Sequence, residues 1–383
     1  ISERLGDESL LNRLADSAFQ RQPHRPETFF LQFLVHRNRK QYTKALKSID
    51  QALKRLENGP RALNYLFLKG QTLEKLKQFD EALSIFKDAN HLLAPSDSIR
   101  RVCRERSIQE HRWRLNFIES QKKDNLKEDL DCGKGLVFFL CCPRSGSTLL
   151  AKMLGCHTAI NDCGELDFCE QLYDEALKQV GQSIDNQVKL VDTLCAKENH
   201  HRRVYLRKFF LDLYQKFSVK SPNGLLIDKG ITTSLYYVLL SVLIPGIRFI
   251  YLERDPIEVA FSIFKQNFES SFWFKTKLED ALLHWRQMKE LADVIHQNRP
   301  NHIALVKYEN LVEEPERSLR SLLEFFHLDW ESQCLLFHKD TTPKDTASYK
   351  QVQQPLDSTS LRHCYHNYPG LYEELLAIQS KVQ

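Results

Sequence analysis

One junction in the sequence, between an apolar run and a hydroxyl-rich turn, most constrains what this chain can fold into. The apolar run Gly135–Cys141 is followed by a short turn and then by the apolar helical pattern Thr148–Leu154. This order predicts a buried strand, a tight turn and a helix. Successive backbone N–H groups beside a helix N-terminus form a binding site for an anion. The residues of the turn are Arg144, Ser145, Gly146, Ser147 and Thr148.

The turn differs from a nucleotide-binding P-loop at one informative place. In a P-loop, the second glycine is followed by Lys and then by Ser or Thr. Here Ser147 and Thr148 follow Gly146 directly, so the lysine that reaches the β- and γ-phosphates is missing, and Arg144 precedes the glycine instead. The turn therefore suits an anionic nucleotide other than a magnesium triphosphate. It resembles the 5′-phosphosulfate loop of sulfotransferases, which use 3′-phosphoadenosine 5′-phosphosulfate (PAPS).

Length, charge and hydropathy exclude several classes of protein. A chain of 383 residues is long enough for two or three domains of about 150 residues each. The formal net charge of +4, with no basic run, argues against a nucleic-acid partner. Apolar runs stay shorter than the about 18 residues that a membrane span needs, and the polar first residues argue against a signal peptide. We therefore expect a cytoplasmic protein with no membrane span.

The cysteines indicate neither a metal site nor a disulfide framework. The chain has 10 cysteines, and none falls in a Cys-x-x-Cys pair. Cys156, Cys163 and Cys169 lie near His157 in the sequence, but their spacing matches no zinc pattern. The sequence predicts reduced thiols and no bound metal.

An internal helical repeat occupies the first third of the chain. The segment 61–95 has alanines at Ala82 and Ala89, and an earlier copy has them at Ala45 and Ala52, so that matching residues lie 37 positions apart. Small residues at these offsets, with Gly70, let two antiparallel helices pack closely. The pattern resembles a tetratricopeptide (TPR) repeat, whose period is about 34 residues. A generic helical bundle is the alternative interpretation.

The rest of the chain alternates between apolar strands and helical patterns, which predicts a parallel sheet covered on both faces. We expect an all-α TPR-like helical-repeat domain over residues 1–120, a polar linker over 121–131, and a sulfotransferase domain over 132–383. The fold class of that last domain is α/β, P-loop-like and three-layered, with a central parallel sheet. The predicted strands are Gly135–Cys141, Leu225–Ile227, Arg248–Leu252 and His302–Val306, and the predicted helices are Thr148–Leu154, Leu166–Val180, Arg202–Phe217, Thr232–Leu243, Pro256–Gln266 and Leu278–His296.

A second motif extends the resemblance to sulfotransferases. A β-rich run reaches Arg254, Pro256 stands where a helix should begin, and Ser262 lies about two helical turns later. The resemblance implies that Arg254 and Ser262 bind the 3′-phosphate and that Tyr308 contacts the nucleotide. It also implies that Arg144 holds the sulfonate oxygens through charge-assisted hydrogen bonds. The residues that would cradle the 5′-phosphate are Ser145, Gly146, Ser147 and Thr148.

The catalytic residues are implied by the same resemblance. In tyrosylprotein sulfotransferases, and in bacterial sulfotransferases fused to TPR repeats, a Gly-Glu pair follows the loop helix and supplies the catalytic base. Glu165 matches that pair, with Asp167 as the alternative. A structural interpretation of Glu165 is an acid that stabilises a helix N-terminus. Lys229, in an Asp-Lys element, and Ser348, three residues before Gln351, would stabilise charge on the leaving phosphate.

Two departures from the tyrosylprotein enzymes bear on the acceptor. Phe168 stands where those enzymes have an arginine that meets acidic acceptor peptides, and Gln353 and Gln354 stand where a basic residue is common. Both departures lower the local positive charge, which weakens the case for an acidic tyrosine peptide. The layout of TPR repeats followed by a sulfotransferase is more similar to the bacterial fusion family, whose motifs do not name an acceptor.

These observations favour a PAPS-dependent sulfotransferase that acts on a hydroxyl acceptor and needs no metal. The acceptor hydroxyl could belong to a protein tyrosine, a sugar, a lipid or a small alcohol. A protein or peptide acceptor could dock with help from the TPR region, and a homodimer stays open. One alternative is a TPR adaptor whose sulfotransferase-like domain holds a nucleotide without turnover. A nucleotide kinase with a degenerate P-loop is a further alternative, which the missing Gly-Lys-Ser/Thr argues against.

Overall fold

The structure is a computed structural model, and it describes residues 8–56, 59–120, 130–181, 187–217, 224–230, 232–268, 272–339, 355–358 and 361–382. The chain divides into two compact units. The repeat unit comprises Ile1–Arg104, Ala260–Leu283 and Arg362–Gln383, and the sheet unit comprises Glu105–Val259 and His284–Leu361. Among the described residues, no helix is both long and apolar enough to cross a membrane.

The helices before the sheet are α1 (Glu8–Arg21), α2 (Pro26–Asn38), α3 (Tyr42–Leu53), α4 (Pro60–Lys75), α5 (Phe79–Leu93) and α6 (Asp97–Ser120). The strands are β1 (Leu136–Phe139), β2 (Ile160–Gly164), β3 (Leu225–Asp228), β4 (Arg248–Glu253) and β5 (Ile303–Lys307). The helices between and after the strands are α7 (Ser147–Gly155), α8 (Phe168–Val180), α9 (Gln187–Cys195), α10 (His200–Leu213), α11 (Tyr237–Leu243), α12 (Pro256–Phe264), α13 (Leu278–Asn298), α14 (Tyr308–Glu313), α15 (Pro315–Phe325), α16 (His363–Asn367) and α17 (Pro369–Val382).

The structure confirms the predicted repeat. Ala45 and Ala52 of α3, and Ala82 and Ala89 of α5, are all fully buried. A Cβ atom added to Gly70 would lie 2.4 Å from the Phe86 ring, so this glycine allows α4 and α5 to approach closely. The backbone repeats as well, since the turns before α3 and α5 both contain a lysine with a positive φ, 57° at Lys40 and 61° at Lys77.

A buried carboxylate joins separate segments of the repeat unit. Glu74 of α4 accepts hydrogen bonds from Lys265 at 2.9 Å, His363 at 3.0 Å and the Tyr368 hydroxyl at 2.8 Å. Burial raises the pKa of Glu74, but the hydrogen bond from His363 and the charge of Lys265 outweigh burial and lower this pKa to about 2. The last two α-helices of the chain are thereby tied to the repeat helices as one unit.

Among the described residues, the sheet has five strands, all parallel, in the order β2-β3-β1-β4-β5. Alternate strand residues cover the two faces. One face, which includes Val137 and Ile250, packs against α7, α14 and α15 in a single hydrophobic core. On the other face, Phe138 packs against Phe210 of α10, and Phe249 packs against Tyr237 of α11. The sheet unit therefore has the predicted three layers.

Four of the five strands lie where the sequence predicts them. The remaining strand, β2, was not predicted, because Ile160-Asn161-Asp162-Cys163-Gly164 is short and mostly polar and lies half-buried at the sheet edge. As a consequence, Glu165 follows a strand, and α8 begins at Phe168 instead of at Leu166. The predicted helix over Thr232–Leu243 is a 3₁₀ turn, Thr233–Tyr236, followed by α11.

Candidate active site

The candidate residues converge because the strands are parallel. The carboxyl ends of parallel strands meet at one edge of the sheet, and ligands of open α/β sheets bind at that edge. Each of the five strands is followed, within a few residues, by a residue or a loop that the sequence singles out. These are the loop 144–148 after β1, Glu165 after β2, Lys229 after β3, Arg254 after β4 and Tyr308 after β5.

The loop after β1 ends at the N-terminus of α7. Gly146 precedes this helix with a φ of 104°, a conformation that glycine adopts without strain. Its carbonyl accepts the N–H groups of Leu149 and Leu150 at 3.0 and 3.2 Å. In the described part of the chain, no side chain caps α7. The first-turn N–H groups of Ser147 and Thr148 are therefore suited to an anionic ligand.

Tyr308 and Arg254 lie directly against this loop. A Cβ atom added to Gly146 would lie 2.4 Å from the Tyr308 ring, so the ring and the loop backbone are in close contact. The Arg254 guanidinium lies over the same ring, 4.4 Å from its centroid, and donates a hydrogen bond to the Arg144 carbonyl at 3.1 Å. Trp285, which the sequence did not reveal, donates to the Arg254 carbonyl at 3.0 Å.

The loop region has an excess of positive charge. Desolvation of the half-buried Arg144 guanidinium, followed by repulsion from Arg254, lowers the pKa of Arg144 to about 10. Among the described residues, the buried Nε of Arg254 has no hydrogen-bond partner. A polyanionic group such as a phosphosulfate fits these two cations and the helix N-terminus, because it supplies both negative charge and acceptor oxygens.

The backbone after Arg254 is fixed by local hydrogen bonds. The Asp255 carboxylate accepts the N–H groups of Ile257 and Glu258, both at 2.9 Å, and so caps α12. The Asp255 N–H donates to the Glu309 carboxylate at 3.0 Å. Ser262 lies two turns into α12 and is half-buried.

Glu165 and Lys229 form an ion pair with an N–O distance of 3.0 Å. The Lys229 side chain is 2% exposed, whereas the Glu165 side chain is 34% exposed, so the carboxylate is the member that a ligand can reach. The Lys229 N–H also donates to the Gly164 carbonyl at 3.0 Å, which joins the two strand ends. Asp167, the alternative base, instead accepts a hydrogen bond from Gln171 at 2.8 Å.

Cys141 links this ion pair to the loop. Burial raises the pKa of the Cys141 thiol to about 12, while a hydrogen bond with Ser147 and the charge of Lys229 act in the opposite direction. Lys229 and Ser147 therefore both act on this thiol, which lies between β1 and the loop 144–148.

Asp228 is a buried residue of the Asp-Lys element to which the sequence analysis assigns no role. It is 1% exposed. One carboxylate oxygen accepts the Gly230 N–H at 2.8 Å and the other accepts the Tyr214 hydroxyl at 2.6 Å. The Leu166 backbone lies near enough to this carboxylate to lower its pKa. Its place in the Asp-Lys element was the available signal, but the identity of its donors depends on tertiary contacts.

Ser348, with the glutamines at 351, 353 and 354, lies outside the described residues, so its predicted role stays a prediction. In the described part of the chain, no three His, Cys, Asp or Glu residues are arranged to hold a metal ion.

Comparison with known proteins identifies the family to which this chain belongs. The family model described as "Sulfotransferase family" matches residues 137–332, which is more than half of the chain. The chain belongs to the sulfotransferase family. A second model, described as "Anaphase-promoting complex, cyclosome, subunit 3", matches residues 12–89, which lie in the repeat region.

Several relatives are similar at low identity. An uncharacterized protein of Aquifex aeolicus is 28% identical over 77% of the chain and 38% of its own length. The protein-tyrosine sulfotransferase of Drosophila melanogaster is 24% identical over 61% of the chain and 48% of its own length. Protein-tyrosine sulfotransferase 1 of Mus musculus is 27% identical over 58% and 59%. The chain thus spans less than two thirds of the length of each of these relatives.

Among solved structures, the sulfotransferase domain from the Synechococcus PCC 7002 olefin synthase is similar with a TM-score of 0.43 and 22% identity. The match covers 59% of this chain and 86% of that chain.

Proposed function

We propose that this protein transfers a sulfuryl group from PAPS to an acceptor hydroxyl, with Glu165 as the general base. The observation that carries the proposal is the Glu165–Lys229 ion pair, which lies at the same sheet edge as the loop 144–148, the helix N-terminus that follows this loop, and the second cation, Arg254. Family membership supports the reaction class. The missing Gly-Lys-Ser/Thr argues against a nucleotide kinase.

On the donor side, the first-turn N–H groups of α7 and the hydroxyls of Ser147 and Thr148 would bind the 5′-phosphate. Arg144 would hold the sulfonate oxygens, and Tyr308 would lie along the nucleotide. Arg254, with Ser262 as the sequence predicts, would bind the 3′-phosphate. The bound donor supplies a sulfur–oxygen bond whose cleavage leaves adenosine 3′,5′-bisphosphate.

On the acceptor side, Glu165 would accept the proton of the hydroxyl as that oxygen bonds to sulfur. Lys229 keeps the carboxylate oriented and would donate to the departing phosphate oxygen, where negative charge develops. Ser348 is proposed to assist Lys229. A positioned carboxylate of this kind typically contributes about 10²–10⁴-fold to the rate.

Tyrosine in a protein is one candidate acceptor, because several relatives are named protein-tyrosine sulfotransferases. The TPR-like region would then help to dock the protein that carries the acceptor. Phe168, in place of an arginine, favours acceptors that are less acidic than tyrosine peptides flanked by carboxylates.

The test is incubation with ³⁵S-labelled PAPS and a panel of tyrosine peptides, glycans, phenols and aliphatic alcohols, with Glu165→Gln as the matched control. We expect label on one acceptor class with the wild-type protein and about 1,000-fold slower labelling with the variant. Tight binding of adenosine 3′,5′-bisphosphate without transfer to any acceptor would contradict the enzyme and favour the nucleotide-holding adaptor.

A further inference from the structure

We propose that Asp228, held by Tyr214, is a positioning residue that fixes Glu165 against Lys229 by contacting the peptide units that follow each of them. The inference rests on the proposed function, since it says what holds Glu165 and Lys229 of that same site in position. Leu166 comes directly after Glu165, and Gly230 comes directly after Lys229. The Asp228 carboxylate accepts the Gly230 N–H at 2.8 Å, and the Leu166 backbone lies near enough to this carboxylate to lower its pKa.

The arrangement leaves the two loops little freedom. A Cβ atom added to Gly230 would lie 3.0 Å from the Leu166 carbonyl oxygen, so the two backbones are in close contact. The Lys229 N–H holds the Gly164 carbonyl from the other side of Glu165. If Asp228 stopped accepting, the peptide unit after Lys229 would lose its buried partner, which is costly for a buried N–H group.

Tyr214 sets the position of the Asp228 carboxylate. The tyrosine is 3% exposed and directly follows α10. Its ring is held edge-on by Phe138, Phe168 and Phe210, with centroid separations of 6.2, 5.0 and 5.4 Å. Because these contacts fix the ring, the hydroxyl has one direction in which to donate, and that direction is the Asp228 oxygen at 2.6 Å.

This carboxylate is poised to titrate near neutral pH. Burial raises the pKa of Asp228 to about 6, opposed by the hydrogen bonds from Tyr214 and Gly230 and by the Leu166 backbone. The other titratable groups that face it are Glu170 and Cys169 of α8. A protonated Asp228 would have to place an O–H beside the Tyr214 and Gly230 donors, so protonation would release at least one of them. We therefore expect turnover to fall on the acid side of about pH 6.

The first experiment compares the pH–rate profile of the wild-type protein with that of Tyr214→Phe, which keeps the ring and removes the hydroxyl. Loss of this hydrogen bond raises the pKa of Asp228, so the acid limb should move up by about one pH unit, the equivalent of one hydrogen bond to a charged group. We expect kcat to fall about tenfold and the KM for PAPS to stay unchanged. Tyr251→Phe, which removes a buried hydroxyl from β4, is the matched control and should leave the profile unchanged.

A second measurement does not require turnover. The ¹³C resonance of the Asp228 carboxyl should titrate near pH 6 in the wild-type protein and at higher pH in Tyr214→Phe, with adenosine 3′,5′-bisphosphate affinity unaffected. The wild-type protein could bind this nucleotide and show the titration but transfer no label. That result would contradict the proposed function and still support the contact between Tyr214 and Asp228. A Tyr214→Phe variant with the wild-type kcat and pH profile would overturn the inference.

Discussion

The candidate site has two halves whose charges are balanced differently. The loop half is the loop 144–148 with Arg254, and the acid–base half is Glu165 and Lys229 with Asp228. Around the loop, Arg144 and Arg254 disfavour each other's charge, and the Arg254 Nε is buried without a hydrogen-bond partner among the described residues. On the other half, Lys229 already donates to Glu165, and Asp228 already accepts hydrogen bonds from Tyr214 and Gly230. The loop half therefore suits an anionic ligand, whereas the charged groups of the acid–base half are paired with one another. Changes in the first half should alter affinity, and changes in the second should alter turnover.

The largest effect is expected for Glu165→Gln. The amide keeps the shape of the side chain but cannot accept the acceptor proton, so kcat should fall about 1,000-fold. Adenosine 3′,5′-bisphosphate affinity, measured by calorimetry, should be unchanged, because the donor-binding residues follow other strands. Asp167→Asn is the control and should retain wild-type turnover. Loss of nucleotide affinity in Glu165→Gln would make Glu165 a structural residue and would remove the contrast between the halves.

Asp228→Asn tests the role of Asp228 in the acid–base half through the pH dependence of the free energy of unfolding. In the wild-type protein the folded-state pKa of Asp228, about 6, lies above the ordinary value, so the folded state binds more protons between about pH 4 and pH 6. The free energy of unfolding should therefore fall as the pH rises through that range. The variant lacks this dependence, and its stability relative to wild type should increase with pH by up to about 3 kcal/mol. Urea unfolding at pH 4 and pH 7 measures the difference, and a relative stability that decreases with pH would contradict the account.

Arg254→Ala tests the loop half. Removing a guanidinium that would bind the 3′-phosphate should weaken adenosine 3′,5′-bisphosphate about 30-fold, as expected for a lost hydrogen bond between charged groups. Adenosine 5′-phosphosulfate, which has no 3′-phosphate, should be affected much less. Competition calorimetry with both ligands separates the two cases. Equal weakening of both would mean that Arg254 acts through Tyr308 and the loop, and not on the 3′-phosphate.

The smallest effect is expected for Gly146→Ala, which tests how closely the loop and Tyr308 must approach. The new methyl group would meet the Tyr308 ring at 2.4 Å, and φ is 104° there. We expect nucleotide affinity to fall about tenfold, together with the loss of about 1–2 kcal/mol of stability that a strained φ costs. Gly181→Ala is the matched control, because Gly181 has the same φ and no neighbour within 4 Å. It should lose stability and keep affinity, and an equal loss of affinity in both variants would contradict the close approach.

The same contrast explains what the sequence could predict. The loop half could be predicted because its residues are neighbours in the chain, and the repeat because the 37-residue offset of buried alanines reports local helix packing. Glu165 was identified by motif, but its place after β2 was not, because that strand is polar and short. The Tyr214 hydroxyl and the Leu166 backbone come near Asp228 only through the tertiary fold, so no spacing in the sequence predicts these contacts.

The central claim is that the carboxyl edge of the sheet binds a 3′-phosphorylated adenosine 5′-phosphosulfate so that its sulfonate faces Glu165. A crystal structure of the protein with adenosine 3′,5′-bisphosphate tests it most directly. We predict the 5′-phosphate on the N–H groups of Ser147 and Thr148, the 3′-phosphate on Arg254, and the Glu165 carboxylate on the side of the 5′-phosphate from which an acceptor would approach. A nucleotide bound elsewhere, or bound at the loop with Glu165 directed away from the 5′-phosphate, would contradict the account.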